Sequence, residues 1–309
     1  MPARVSIVMP CLNGEHHVLG SIHSVLAQTM PDFELIFVDN GSTDRTLVLV
    51  GTLRDPRLRV LQQTVRGVSH ARNLGIAAAQ SPLLAFLDSD DTWDPGFLAS
   101  MCSALEVEPS CVLAYCGWQN LGLAGGRGLP FIPAELASPL SAETLLEGCP
   151  WPIHGCMTRT AAIRKAGGFD TGFAIGEDYL LWMEVCLRGP IKRVPEVLAR
   201  YHHHDSVQAT KNLGLALLDP FRAKLAFLDR HPEVRQHLSR DRLYELTWAR
   251  LIRDANRLYW QGQLIAARPV FRKILAAGQG SWRDRARMLP SLVPLPVHRL
   301  LARVMDRNP

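Results

Sequence analysis

Residues 33–44 read FELIFVDNGSTD, an apolar run that passes directly into a polar turn. The apolar half, 33–38, predicts a buried β-strand. The half that follows combines Asp, Asn, Gly, Ser and Thr, which favour turns and helix N-caps. A strand that ends in such a turn and leads into a helix is typical of a parallel sheet, whose neighbouring strands need crossover connections.

The same pattern recurs on both sides of this stretch. Upstream, 4–10 (RVSIVMP) predicts a strand and 14–29 a helix. Downstream, the sequence predicts a strand at 57–61, a helix at 67–79 and a strand at 82–87. This alternation predicts an α/β fold: a Rossmann-like, mostly parallel sheet with helices on both faces.

The chain beyond residue 116 is less regular. The Gly- and Pro-rich stretch 117–150 predicts a loop or insertion beside the site, and 151–160 predicts a further strand. A short helix is expected at 161–168 and a longer one at 177–188. From residue 214 onward the apolar spacing is helical, with expected helices at 214–229, 233–259, 263–277 and 295–306.

Charge divides the chain into two parts. Residues 1–210 contain 15 Lys and Arg against 21 Asp and Glu, whereas residues 211–309 contain 19 against 8. We therefore expect an α/β domain over 1–210 and a basic helical C-terminal region over 211–309. An acidic domain is suited to hold a divalent cation. The basic region suits peripheral contact with an anionic membrane, or else it packs as a subdomain or dimer contact.

Composition excludes several classes of protein. The chain has 309 residues, 47% hydrophobic and 20% charged, which is typical of globular proteins rather than of disordered ones. No run of 18 uncharged apolar residues predicts a membrane span, and the N-terminus does not resemble a secretory signal. The seven cysteines include no CxxC pair, which argues against a zinc site. These features predict a cytoplasmic protein with reduced thiols.

Polar clusters follow three of the predicted strands, at 10–15, 39–42 and 88–91. If these strands are parallel neighbours, their carboxyl ends meet at one edge of the sheet, where open α/β sheets bind ligands. In the last cluster, Asp88 and Asp90 stand two residues apart after a buried strand. Two carboxylates there suit Mg²⁺ or Mn²⁺ and leave positions for a diphosphate, although an acidic turn capping the next helix has the same sequence.

Three further elements carry chemistry but have structural alternatives. Glu177 and Asp178 open a helix, where acids also favour the helix dipole. The run 201–205 contains three successive histidines, which either ligate a metal or lie in a surface loop. Arg72 lies near the start of a predicted helix and can meet a phosphate or form an ion pair.

In order and spacing, these motifs resemble the family 2 glycosyltransferases of the GT-A type. The resemblance covers residues 4–208 and rests on VSIVMPCLNGE, DNGSTD, GVSHARNLGI, FLDSDD and GGFDTGFAIGEDYLLW. It implies inverting transfer of a sugar from a nucleotide-sugar donor, typically UDP-linked, to an acceptor hydroxyl. A role in the synthesis of cell-surface polysaccharides or glycoconjugates, with a glycan or lipid-linked acceptor, follows from the same resemblance.

The resemblance also assigns the donor site. Pro10, Asn13 and Glu15 would border the nucleotide pocket, and Asp39 would accept a hydrogen bond from the base. Arg72 would contact the nucleotide or its phosphates.

Metal and acceptor residues are implied in the same way. Asp88 would lie near the ribose and the metal, and Asp90 would ligate Mn²⁺ or Mg²⁺ together with His204. Asp178 matches the general base, and Glu177 would shape the acceptor site.

The resemblance further places Trp182 among the substrate-binding residues. Many relatives carry Arg directly after Tyr201, where this chain has His202, so the choice among His202, His203 and His204 stays open.

Two other functions compete with this one. A nucleotidyltransferase would share the sheet and the metal but would carry a Gly-rich phosphate loop where this chain reads CLNGE. A non-catalytic sugar-nucleotide-binding protein would not need both Asp90 and Asp178. No aromatic-interleaved basic patch predicts binding to nucleic acid.

Overall fold

The structure, a computed structural model, describes residues 3–123, 125–138, 140–204 and 212–305. The chain divides into two compact units. The first contains the described residues up to Gly172 and those from Glu177 to His204. The second contains Phe173–Gly176 and the described residues from Asn212 onward. The predicted boundary at 210 lies outside the described residues. The inclusion of Phe173–Gly176 in the second unit differs from the prediction of one domain over 1–210.

An eight-stranded mixed sheet organises the first unit. The strands are β1 (Val5–Cys11), β2 (Phe33–Asp39), β3 (Leu58–Gln62), β4 (Leu83–Phe86), β5 (Thr92–Trp93), β6 (Leu113–Leu121), β7 (Cys156–Arg159) and β8 (Ile191–His202). Their order in the sheet is β3-β2-β1-β4-β7-β6-β8-β5. The strands β3, β2, β1 and β4 run parallel, as do β6 and β8, whereas β7 is antiparallel to both its neighbours and β5 is antiparallel to β8.

The helices of the first unit connect these strands. They are α1 (Val18–Leu26), α2 (Thr46–Val50), α3 (Val68–Ala78), α4 (Phe97–Val107), α5 (Ala142–Glu147), α6 (Thr160–Ala166) and α7 (Glu177–Cys186). Every residue of β1 and β2 is buried, which explains their continuous apolar sequences. The register pairs Cys11 with Asp39 at the carboxyl ends, so the turns that follow both strands start side by side.

The second unit is helical and has its own apolar core, which includes Phe221, Leu251, Val270 and Phe271. A π-helical turn, Glu245–Ala249, connects the helix that ends at Tyr244 to the helix that begins at Arg250. The helices are α8 (Leu213–Arg230), α9 (Pro232–His237), α10 (Arg240–Tyr244), α11 (Arg250–Trp260), α12 (Leu264–Ala276), α13 (Trp282–Met288) and α14 (Leu295–Met305).

The short segment Phe173–Gly176 is held within the second unit by α8. The carboxylate of Asp219, which is buried, accepts a hydrogen bond from the backbone N–H of Ile175 at 3.3 Å. The same carboxylate pairs with Arg222, whose guanidinium lies 4.9 Å from the ring centre of Phe173. These contacts explain why the segment belongs to the second unit.

Several predicted elements differ from the structure. Residues 117–121, expected in a loop, complete β6 because they pair with β8 across a bulge after Cys116. The strand expected at 151–160 is limited to β7, because a 3₁₀ turn, Ile153–Gly155, precedes it. The helix expected at 233–259 is divided, because Leu238 adopts an extended conformation.

The predicted fold class is confirmed: an α/β unit with a mostly parallel sheet, followed by a helical region. Within the described residues, no helix is both long enough and apolar enough to cross a membrane.

Candidate active site

The turns after β1 and β2 are hydrogen-bonded to each other. Asn13, in a left-handed conformation with φ 54°, donates its N–H to the Ser42 hydroxyl at 2.9 Å. Its side-chain oxygen accepts from the N–H of Thr43 at 2.8 Å. The Glu15 carboxylate accepts from the N–H of Arg45 at 3.1 Å. Asn13 and Glu15, both predicted to border the nucleotide, therefore stabilise the rim that these two turns form.

Asp39 lies at the end of β2 and is almost fully buried. Its carboxylate accepts hydrogen bonds from the N–H groups of Gly41 and Ser42, at 3.2 and 3.3 Å. Neighbouring Asn40 accepts from the N–H of Gly67 at 2.9 Å, which connects this turn to the start of α3. The DNGS sequence thus builds a rigid turn around the carboxylate that the resemblance assigns to the base.

Arg72 joins the end of β4 to the start of α7. Its guanidinium, 4% exposed, donates to Asp88 at 2.8 Å and also forms an ion pair with Glu177. These acids are 89 residues apart in sequence, and one planar guanidinium with several donors serves both. The two carboxylates and the Asp178 charge raise the pKa of Arg72, so it stays cationic in spite of its burial.

Asn73 and Phe169 pack around Arg72 and help to hold its side chain in place. Asn73 exchanges two hydrogen bonds with the backbone of Phe169, both at 2.8 Å. The ring of Phe169 then lies 5.2 Å from the Arg72 guanidinium. Gly168 is required here, because its φ is +74° and a Cβ would lie 2.7 Å from the Asn73 oxygen. Asn73 and Phe169 were not assigned from the sequence, although both stand in the motifs that carry the resemblance.

Glu177 and Asp178 begin α7 with different exposure. Glu177 is buried, and burial, together with repulsion from the Asp178 charge, raises its pKa to about 7, although the Arg72 charge opposes this shift. Asp178 is half-buried, and its carboxylate accepts from the N–H of Tyr179 at 2.7 Å. Burial raises the pKa of Asp178 as well, whereas Arg72 opposes the shift. A carboxylate of raised pKa within reach of solvent is suited to accept a proton.

The structure distinguishes the three successive histidines. His204 lies beside Asp90, with Nε2 3.0 Å from a carboxylate oxygen. His202 contacts the Thr92 hydroxyl at 2.9 Å, and His203 contacts Asn120 at 3.1 Å.

A further histidine, not identified from the sequence, extends this corner. The ring of His17 stacks on His204 with centres 4.2 Å apart, so the loop before α1 closes over the predicted metal ligand.

A buried acid–imidazole pair anchors this corner. His154, which is fully buried, has Nδ1 3.1 Å from a carboxylate oxygen of Asp91. The other Asp91 oxygen accepts from the N–H of His202 at 2.9 Å. Burial raises the pKa of Asp91 well above its usual range and lowers that of His154 to about 4. Asp91 therefore connects the loop after β4 both to the turn that holds His154 and to the end of β8, and it stands directly after Asp90.

Two predicted residues lie away from any open surface. Trp182 is 1% exposed on α7 and packs against Phe86, so its indole supports the site from the core rather than facing substrate, which corrects the expectation. Its burial is shared by almost the whole of α7, in which every residue from Tyr179 to Cys186 is buried. Pro10 is also buried, within β1 and in register with Val38.

The structure therefore brings the predicted carboxylates into one corner. Asp90 and His204 face each other, and Asp88 and Glu177 share Arg72. Among the residues that the structure describes, no three His, Cys, Asp or Glu side chains form a complete metal-binding group.

Comparison with known proteins identifies the family. The model of the family described as Glycosyl transferase family 2 matches residues 6–166. The chain is 31% identical over 188 residues to the E. coli protein UDP-Glc:alpha-D-GlcNAc-diphosphoundecaprenol beta-1,3-glucosyltransferase WfgD, which covers 59% of this chain and 69% of that one. The present chain covers only about a third of the length of several longer bacterial relatives.

Solved structures share the fold. S. aureus TarS 1-349 in complex with UDP-GlcNAc superposes with a TM-score of 0.59 at 20% identity, over 87% of this chain and 83% of that one. The mannosyltransferase PcManGT from Pyrobaculum calidifontis, in complex with GDP-Man and Mn²⁺, has a TM-score of 0.59 at 16% identity, over 98% and 84%. The family match spans more than half of the chain, and this chain therefore belongs to glycosyl transferase family 2.

Proposed function

We propose that this chain transfers a sugar from a UDP-linked donor to an acceptor hydroxyl with inversion at the anomeric carbon. One observation carries the proposal: Arg72 binds both Asp88 and Glu177. This link places the aspartate-rich end of β4 next to the start of α7, where the half-buried Asp178 stands. Residues that contact a leaving diphosphate and a residue that accepts a proton from an attacking hydroxyl therefore stand close together.

The reaction is a direct displacement at the anomeric carbon. Asp178 accepts the proton of the acceptor hydroxyl while the hydroxyl oxygen bonds to that carbon. The bond from the carbon to the diphosphate oxygen breaks on the opposite face, and the nucleoside diphosphate leaves. The raised pKa of Asp178 favours this role, because it makes the carboxylate a stronger base.

Donor binding is proposed at the rim formed by the turns after β1 and β2. Asn13 and Glu15 shape this rim, and Asp39 lies behind it at the end of its strand. The uridine diphosphate part is proposed from the resemblance and from the UDP named for WfgD and for the TarS complex.

Asp90, His204 and Asp88 would hold a divalent cation, Mn²⁺ or Mg²⁺. The donor set fits, because Asp90 and His204 converge within 3.0 Å and Asp88 stands in the same loop. Cations at phosphate sites use one or two carboxylates and complete their coordination with phosphate oxygens and water. When bound, such a cation supplies charge neutralisation to the departing diphosphate.

The proposed acceptor is a lipid-linked glycan, used in making cell-surface polysaccharides or glycoconjugates. The WfgD name specifies a sugar on a diphosphoundecaprenol carrier, and WfgD is 31% identical to this chain over 188 residues. Such an acceptor lies in a membrane, which is consistent with a peripheral location of this chain at the cytoplasmic face.

A donor screen with the purified chain tests the proposal. UDP-, GDP- and dTDP-sugars are added with Mn²⁺, and the melting temperature is measured. At about 100 times its Kd, a bound donor stabilises the folded state by about 2.7 kcal/mol. We expect UDP-sugars to give the largest increase and to be hydrolysed or transferred. A chain that binds a nucleotide sugar without turning it over would instead be a sugar-nucleotide-binding protein.

A further inference from the structure

Two tryptophans and two arginines form one surface on the second unit, here called the tryptophan–arginine patch. It consists of Trp260, Trp282, Arg283 and Arg287. The Arg287 guanidinium lies 5.6 Å from the ring centre of Trp260, and that of Arg283 lies 5.4 Å from Trp282. Because Arg283 and Arg287 are four residues apart on α13, they lie on one face of that helix.

The indoles of this patch are exposed to an unusual degree. Trp282 is 70% exposed and Trp260 56% exposed. Tryptophans contribute most to a fold when they are buried, and these two contribute little apolar burial to their unit. Exposed large apolar groups grouped together mark interaction surfaces.

Two exposed leucines follow the patch in the sequence. Leu289 and Leu292, which follow α13 directly, are 53% and 56% exposed. Asp284, the acid within α13, is held in the capping box with Ser281, where it accepts from the Ser281 N–H at 2.9 Å. Asp284 is thus engaged with Ser281 at the start of the helix.

We propose that the tryptophan–arginine patch is a membrane-binding surface that lies in the headgroup layer of an anionic bilayer. Indoles prefer the interface between headgroups and acyl chains, and arginines beside them attract anionic lipids. The excess of basic residues in 211–309 supplies the matching charge over a longer range. The inference rests on the proposed function, because a lipid-linked acceptor is reached at a bilayer.

Vesicle binding by the full chain tests the proposal. Phosphatidylcholine vesicles with about one-third phosphatidylglycerol are compared with pure phosphatidylcholine, in flotation and in a titration. We expect binding to the anionic vesicles alone, with Trp260→Ser/Trp282→Ser weakening it by at least about tenfold. Arg283→Gln/Arg287→Gln is expected to weaken it about 30-fold, since two cationic contacts are lost.

Matched controls separate the patch from general charge and apolar exposure. Arg235→Gln/Arg240→Gln removes the same charge from α9 and α10, and Val107→Ser alters an apolar side chain that is 73% exposed in the first unit. Both are expected to bind anionic vesicles within about twofold of the unmodified chain, an effect far smaller than that of losing two contacts.

The proposal is overturned if the unmodified chain does not bind anionic vesicles, or if the patch variants bind as well as the controls. A concentration-dependent dimer that the tryptophan variant abolishes, with no vesicle binding, would assign the patch to a second copy and also overturn it. The vesicle assay contains neither donor nor acceptor. A failure of the proposed transfer reaction would therefore appear separately, in the donor screen.

Discussion

At the scale of single residues, Arg72 explains how two acidic side chains that are far apart in sequence lie together. Its side chain is 4% exposed and meets Asp88 and Glu177 at once. An isolated buried guanidinium would lose several kcal/mol of hydration, so its carboxylate partners are necessary for its burial. In turn, the arginine is necessary for the carboxylates, which would otherwise repel one another across the end of the sheet.

Replacing Arg72 by Lys tests this dependence. A Lys keeps the charge but lacks the planar fork, so it cannot hold both carboxylates in the same geometry. We expect the free energy of unfolding to fall by about 2 kcal/mol or more, and sugar transfer to fall with it. Arg59→Lys is the control, because its pair with Glu34 is partly exposed and should change stability by less than about 1 kcal/mol. Equal losses in urea unfolding of the two variants would contradict the role of Arg72.

Replacing Asp178 by Asn tests the base. The amide has nearly the same shape but accepts no proton, so we expect turnover to fall by about 10²–10⁴-fold. Donor affinity, measured by calorimetry, is expected to stay within about twofold, because the proposed role of Asp178 is toward the acceptor and not the donor. Asp170→Asn, in the loop before α7, serves as the control. Unchanged turnover in the Asp178 variant would remove it from this role.

The raised pKa of Glu177 leads us to expect that the stability of the fold depends on pH. Its folded-state pKa of about 7 exceeds the ordinary value of 4.5, so the folded chain holds a proton where the unfolded chain has released it. The free energy of unfolding should therefore fall as pH rises from about 4.5 to about 7. Glu177→Gln removes this contribution, and urea unfolding across that window should show a smaller decline. Parallel pH profiles of the two chains would refute the shift.

At the scale of elements, α3 carries Arg72 and must lie close to the sheet. Gly75 makes this approach possible, because a Cβ there would lie 2.3 Å from a methyl group of Val8 in β1. A close contact between helix and strand thus sets how far the Arg72 side chain reaches over the strand ends.

Gly75→Ala is expected to lower the free energy of unfolding by about 1–3 kcal/mol through overpacking, although Ala favours helix. Gly20→Ala provides the matched control on α1, where nothing lies within 4 Å of the new Cβ. That variant should gain up to about 1 kcal/mol from helix propensity. Denaturant unfolding measures both changes, and a Gly75 variant as stable as the Gly20 variant would exclude the close approach.

At the scale of the whole molecule, charge is separated along the chain. Residues 1–210 carry more acid than base, and Asp88, Asp90, Glu177 and Asp178 concentrate acid at the candidate site. An anionic nucleotide sugar approaches such a field only if cationic charge offsets it. The basic residues that offset the overall charge stand mainly after residue 210.

Metal removal tests whether a bound cation offsets the negative charge at the candidate site. We expect chelation by EDTA to abolish most of the increase in melting temperature that a UDP-sugar gives, and added Mn²⁺ to restore it. Asp90→Ala should lose the response to Mn²⁺. Calorimetry that finds equal nucleotide affinity with and without Mn²⁺ would show that Arg72 and the backbone turns suffice for diphosphate binding.

Much of the site was predictable because its residues directly follow strands. Apolar runs located β1, β2 and β4, and parallel strands bring their carboxyl ends together whatever the rest of the chain does. The strand β5 could not be predicted, because two residues carry no periodicity. The extension of β6 through 117–121 was missed, because its sequence GWQNL does not alternate and runs into a Gly- and Pro-rich stretch, and it becomes a strand by pairing with β8.

Sequence alone determined the fold class, the order of the motifs and the candidate chemistry of Asp88, Asp90 and Asp178. Tertiary structure alone decided that Arg72 spans two carboxylates, that His204 rather than its neighbours meets Asp90, and that Trp182 belongs to the core. The physical reason is the distance along the chain over which each interaction acts. Strand and turn preferences act over a few neighbouring residues, whereas ion pairing and burial depend on side chains that only folding brings together.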